Sequence, residues 1–179
     1  LLVQTVKGMK DRFGIDVRVK TEVLKINPKE KTVLAKNLLT GEKYEESYDK
    51  LLLSPGAEAF IPPIPGVHSK NIYSLRNMSD MDKIKSKVDK KVKRAVVIGA
   101  GFIGLEIAEN LVERDIEVTI IEKSNQVLAP VDFEISSEVH QHIKEFKTEL
   151  FLNDGAKEFI EIGDKTKVKL ESGIEITAD

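Results

Sequence analysis

The chain has 179 residues, 41% hydrophobic and 32% charged, the balance of a globular protein of one ordinary domain or two small pieces. A formal net charge of −2 gives no general attraction to nucleic acid or an anionic membrane, and no window approaches the roughly 18 uninterrupted apolar residues of a transmembrane helix. The absence of cysteine excludes disulfides, thiolate zinc sites and a cysteine nucleophile within the chain.

The opening stretch, LLVQTVKGMK, has neither an initiator Met nor the charged-then-apolar order of a signal peptide. It reads as the end of a helix running to about Arg12, inside a piece of a longer protein whose default location is the cytoplasm. Alternating stretches follow over Ile15 to Asn27, Lys31 to Asn37 and Glu42 to Ser54, separated by the turn signals Asn27-Pro28 and Thr40-Gly41. They predict a β-meander. Leu51, Leu52 and Leu53 form a continuous apolar run, the pattern of a strand buried on both faces. Ser54 to Gly66 then carries four of the six prolines and no periodicity, which makes it a linker. The division expected is therefore 1–66 and 67–179.

The second half changes character. Met81, Ile84 and Val88 lie at helical spacing behind Asn77 or Ser79 as N-cap. A buried strand from Ala95 to Ile98 leads into a helix striped by Ile103, Ile107, Ala108 and Leu111, and Ile116 to Glu122 is a second strand. Asp132 can cap a further helix striped by Ile135, Val139, Ile143 and Phe146, with a third strand over Glu149 to Leu152 and closing hairpins thereafter. Strand, helix, strand, helix, strand with short connections predicts an α/β fold, a parallel sheet with right-handed crossovers.

The first of those strand-to-helix turns reads Gly99-Ala100-Gly101-Phe102-Ile103-Gly104, which fits G-x-G-x-x-G. The pattern is weak alone but follows a buried strand and opens a helix, and Glu122 ends the next strand 23 positions after Gly99. Each residue then has a task. Gly99 permits the tight turn, Gly101 lets the backbone approach a pyrophosphate, and Gly104 allows close packing of helix on strand. The helix N-terminus offers N–H groups and partial positive charge to the phosphates, and Glu122 can accept hydrogen bonds from the adenosine ribose hydroxyls. A 2′-phosphate would meet that carboxylate instead, so NADH is expected over NADPH by about 1–2 kcal/mol, with Lys123 a partial offset.

The stretch VVIGAGFIGLEIAENL, with VTIIE after it, resembles the nicotinamide-binding domain of pyridine nucleotide-disulfide oxidoreductases. YDKLLLSPGAEAFIPPIPG is similar to the passage from flavin domain to nicotinamide domain in that family. NIYSLRNMSDMDKIK and DFEISSEVHQHIKE are similar to the branch of CoA-disulfide reductases, NADH oxidases and NADH peroxidases. The resemblance implies a Rossmann-type NAD(P)H-binding domain at 67–179, preceded at 1–66 by the β-rich tail of an FAD-binding domain. The parent would be a homodimeric flavoenzyme passing hydride from NAD(P)H to FAD, then electrons to a small-molecule disulfide, oxygen or peroxide. By matching position, Phe102 would lie over the flavin and swing aside for nicotinamide, with Glu106 nearby and Ala156 against adenine. The FAD fingerprint and the redox cysteine are not within these residues, so no catalytic residue is assigned here and the piece alone is expected to be inactive.

Other readings are weaker. His140 and His142 are two apart on a helix and point to different faces, so no metal site is assigned. Asn77-Met78-Ser79 is explained by a helix cap rather than glycosylation, and the lysine-rich stretch from Asp82 to Arg94 by a solvated helix face. A short-chain dehydrogenase would need a Tyr-x-x-x-Lys pair, which no tyrosine here makes. A stand-alone dinucleotide-binding module without catalysis is the alternative left open.

Overall fold

A computed structural model describes residues 4–146 and 148–179. The backbone divides into two compact units, Leu1–Gly56 and Ala57–Asp179.

In the first unit, helix α1 spans Val6–Phe13. Thr5 caps it by accepting the Gly8 N–H, and Gly14 ends it at φ 66°, donating to the Lys10 carbonyl. The first three residues of the expected helix lie outside the described residues. Strands β1 (Thr21–Asn27), β2 (Thr32–Asn37) and β3 (Lys43–Ser47) form the expected antiparallel meander in sequential order. At the β2–β3 turn the Asn37 side chain accepts the N–H groups of Leu39 and Thr40, which fixes that turn locally.

The run Leu51–Leu52–Leu53 departs from expectation. It is not a strand, and Leu52 is 88% exposed. A strand buried on both faces needs cover on each side and a neighbouring ladder. The described residues of this unit supply neither, and only Ala35 among them is buried.

The second unit carries the sheet. Helix α2 (Met78–Val88) starts at Asn77, whose side chain accepts the Asp80 N–H at 3.2 Å. Then come β4 (Arg94–Ile98), α3 (Phe102–Val112), β5 (Glu117–Ile121), α4 (Phe133–Glu145) and β6 (Glu149–Phe151). The three strands pair in parallel, in the order β4-β5-β6, so that Ile98 stands beside Ile121 and Ile121 beside Phe151. Val97, Ala108, Leu111, Ile120, Val127 and Ile143 form the core between sheet and helices.

A second meander, β7 (Ala156–Ile162), β8 (Lys165–Leu170) and β9 (Glu175–Ala178), has its own core of Ile121, Ala156, Phe159, Val168 and Leu170. Ile64, Val67 and Ile72 pack against that core, and the Phe159 N–H donates to the Pro65 carbonyl at 2.9 Å. Gly66, at φ 80°, lies so close that a Cβ there would stand 1.9 Å from the Phe159 carbonyl oxygen. These contacts tie the Pro-rich passage to the second unit, so the break in packing falls at Gly56, ten residues before the end of the linker read from composition.

Two helical stripes are shorter than their periodicity predicts. Ile103 is exposed at the start of α3, and both Ile135 and Phe146 are exposed at the ends of α4. Terminal turns of a helix overhang the sheet, and side chains of a first turn tilt toward its N-terminus, away from the core. Of the two stripes, Ile107, Ala108 and Leu111 in α3, and Val139 and Ile143 in α4, reach the core, where Leu105 and Val112 of α3 join them.

Candidate functional site at the carboxyl end of the parallel sheet

Strand β4 stops where Gly99 turns. Its N–H still donates to the Ile121 carbonyl at 2.8 Å, but φ has become +96°, a conformation that L side chains rarely adopt. Gly101 occupies the N-cap position of α3 and makes no side-chain cap. A Cβ on Gly101 would meet nothing within 4 Å, whereas one on Gly104 would lie 2.0 Å from the Gly99 carbonyl oxygen. The first glycine of that pair keeps space open in front of the helix; the second brings α3 onto the turn.

The acidic residue at the end of β5 is bound to the same turn. Glu122 accepts the Ala100 N–H at Oε2 (2.7 Å) and the Ser124 N–H at Oε1 (2.7 Å), while its own N–H donates to the Phe151 carbonyl. Partial burial would push its pKa up. The backbone N–H groups of Ala100, Ser124 and Lys123, with the Ser124 side chain, outweigh that and hold it below the usual carboxylate range. The carboxylate is therefore ionised at neutral pH.

The turn is supported from behind as well. The Leu128 N–H donates to the Ala100 carbonyl at 2.9 Å. Val127, one residue earlier, is fixed by α4: its N–H donates to His140 Nε2 at 3.1 Å and its carbonyl accepts the Ser136 hydroxyl at 2.8 Å. His140 thus has a structural partner, and no metal-binding group of His, Asp or Glu occurs among the described residues.

Phe102 and Glu106 share a face of α3 at i, i+4 spacing, and both are exposed. The Phe102 ring, 61% exposed, contributes nothing to the core, in keeping with its placement by the turn rather than by the apolar stripe. Ile103 is likewise exposed beside it, and Ala100 is buried. A largely apolar cleft of about 870 Å³ runs along β4 to this end of the sheet, lined among others by Phe60, Ile72, Val96, Phe102 and Ile107. The residues fit a dinucleotide pyrophosphate: an uncapped helix N-terminus, an open Cα at Gly101 and an ionised carboxylate one strand away.

Several residues at this end of the sheet were not legible as site residues. Asp154 is buried between β6 and β7, where its carboxylate accepts from the backbone N–H groups of Gly155 and Ser172 and from the Ser172 hydroxyl at 2.5 Å. The Ser172 hydroxyl, with those N–H groups, holds its pKa down. Lys123 Nζ is 2.8 Å from Glu171 Oε1. Asp154 and Ser172 are 18 positions apart, Lys123 and Glu171 are 48 apart, and no local pattern announces these pairings.

Comparison with known proteins identifies the family. The sequence profile of the family described as pyridine nucleotide-disulphide oxidoreductase matches residues 5–179. A coenzyme A disulfide reductase of Staphylococcus haemolyticus (strain JCSC1435) is 38% identical over 167 residues, covering 93% of this chain and 36% of that protein. The crystal structure of reduced Bacillus anthracis CoADR-RHD superposes with a TM-score of 0.91 at 50% identity, over 100% of this chain and 32% of that one. The water-forming NADH oxidase from Lactobacillus brevis, in a structure bound to NADH, gives 0.87 at 26% identity, over 98% of this chain and 39% of that one. The chain thus spans about a third of the length of the curated relatives it matches.

Proposed function

This chain belongs to the pyridine nucleotide-disulphide oxidoreductase family, and on that premise we propose that the second unit, with residues 67–179 carrying the site, binds NAD(P)H, NADH in preference, within a flavoenzyme whose FAD domain includes the first unit. The supporting observation is the bond from the Ala100 N–H to Glu122 Oε2. It puts an ionised carboxylate against the glycine turn, where the ribose of a dinucleotide seated on α3 would meet it.

The chain's own residues bind and orient. Gly99 makes the turn, Gly101 leaves room for the pyrophosphate to approach the N–H groups that open α3, Ala100 and Ile103 complete the turn, and Glu122 receives ribose hydroxyls. Phe102 and Glu106 lie on the exposed face of α3, where the nicotinamide end would extend. The exposed Phe102 ring would cover a bound flavin and would have to turn aside for the nicotinamide. The flavin, when bound, takes up the hydride and relays electrons to the acceptor. That acceptor is a small-molecule disulfide such as CoA-disulfide, or else oxygen or peroxide; the intact protein is a cytoplasmic homodimer.

The test is a fluorescence titration of NADH into the purified protein, beside a Glu122→Ala variant. Saturable NADH binding weakened in the variant is the expected result. No binding by the unmodified protein overturns the reading.

A further inference from the structure

Three separate segments converge beside Glu122. The end of β5 brings Lys123, the β6–β7 connection brings Asp154 and Gly155, and the β8–β9 turn brings Glu171 and Ser172. Their backbones are bonded together: the Asp154 N–H donates to the Glu122 carbonyl at 3.2 Å, and the Glu171 N–H to the Gly155 carbonyl at 2.8 Å. Asp154 further fixes the β8–β9 turn through its bonds from the Ser172 N–H and hydroxyl. The position of Glu171 is thereby tied to Glu122, 49 residues earlier in the sequence.

On that framework the Glu171 carboxylate reaches Lys123 at 2.8 Å. Gly155 makes the room. A Cβ there would stand 3.0 Å from Glu171 Oε1 and 3.4 Å from Lys123 Cε, so the ion pair lies directly against the glycine backbone. Lys123 is the cation adjacent to Glu122, and a cation there would attract a 2′-phosphate. Its charge is already matched by a carboxylate.

We propose that Glu171 is a specificity-determining residue for the dinucleotide: by pairing with Lys123 it removes the cation that a 2′-phosphate would otherwise find, and so disfavours NADPH. The inference rests on the dinucleotide reading above and adds to it a second carboxylate, remote in sequence, acting through Lys123. The two side chains are 73% and 49% exposed, so solvent and salt screen the pair and the effect is modest.

The experiment is equilibrium binding of NADH and of NADPH, read by fluorescence, to the protein and to Glu171→Gln, Lys123→Met and the double variant. Glutamine keeps the size of the side chain and removes its charge, and the backbone bonds that fix the turn are untouched. The expected result is NADPH affinity raised about fivefold in Glu171→Gln at low salt, with NADH affinity unchanged within about twofold. That gain disappears in the double variant and shrinks as salt is added. An NADPH-to-NADH ratio unmoved by Glu171→Gln, or moved equally when Lys123 is absent, overturns the role of Glu171 while NADH binding stands. Unmodified protein that binds neither nucleotide overturns the dinucleotide reading, and this inference with it.

Discussion

His140 Nε2 accepts the backbone N–H of Val127 at 3.1 Å, and through the next residue this contact reaches the glycine turn, because the Leu128 N–H donates to the Ala100 carbonyl. An imidazole acceptor must be unprotonated at that nitrogen, so the support of the turn depends on the charge state of one ring on α4.

Burial, with the neighbouring Lys144 ammonium, lowers the pKa of His140 from 6.5. The unfolded chain therefore binds a proton that the folded chain resists, and the stability from this group is present above about pH 6.5 and falls as the pH drops below it. Thermal melts between pH 7.5 and 5 will show Tm decreasing toward acid. A His140→Gln variant will show a flatter profile across that window; parallel profiles would contradict the assignment.

Gly101 and Gly104 separate binding from folding. A methyl group at Gly104 would meet the Gly99 carbonyl oxygen at 2.0 Å, so Gly104→Ala forces α3 off the turn. The cost should be about 2–4 kcal/mol, read as a lower urea midpoint. Gly101 has open space around it and an ordinary extended φ of −78°. Gly101→Ala will fold within about 1 kcal/mol of the unmodified chain and will lose NADH affinity by at least about tenfold, because its Cβ stands where the backbone must approach a pyrophosphate.

Removing the Glu122 carboxylate will shift nucleotide preference toward NADPH by about 5- to 30-fold, the equivalent of about 1–2 kcal/mol. Glu122→Ala also leaves the Ala100 and Ser124 N–H groups without their acceptor, so a loss of stability of about 1–3 kcal/mol accompanies it. Glu122→Gln keeps an acceptor for one of them and isolates the charge effect. A ratio unchanged in both variants, measured by binding, would show that the carboxylate is not the selector.

Asp179 holds the end of β9 to the start of β4. Its carboxylate pairs with Lys165 at 2.8 Å and accepts the N–H groups of Lys93 (2.8 Å) and Arg94 (3.0 Å). The Lys165 pairing, with those N–H groups, overcomes burial and lowers its pKa from 3.8 to about 2. This stability is complete above about pH 4 and is lost as the pH falls through 2. Asp179→Asn will melt several degrees lower than the unmodified protein at pH 7, and the two curves will converge near pH 2. A gap independent of pH would point to packing instead.

The architecture was legible where burial follows a simple period. The β4–α3–β5 unit, its glycine turn and Glu122 all occupy consecutive or regularly spaced positions, so hydrophobic rhythm and turn chemistry sufficed. What escaped were effects of neighbours distant in the chain. Ile103, Ile135 and Phe146 keep the helical period yet stand beyond the sheet they would cover. Leu51 to Leu53 have the composition of a core strand without its surroundings. Asp154, Ser172 and Glu171 acquire their partners only when two meander turns meet the end of β5. Composition also marks the Pro-rich passage as a connector, although Ile64 and Pro65 are engaged with Phe159.

That engagement of Pro65 with Phe159 has a practical reach. Peptide bonds around Leu52 to Gly56 lie in exposed, unpaired chain, whereas those from Ile64 to Val67 are braced against β7. Limited proteolysis will nick the polypeptide in the former stretch first, and a recombinant fragment begun at Val67 will forfeit the carbonyl on which Phe159 depends. Fragments meant for crystallisation or isotope labelling should start at Ala57.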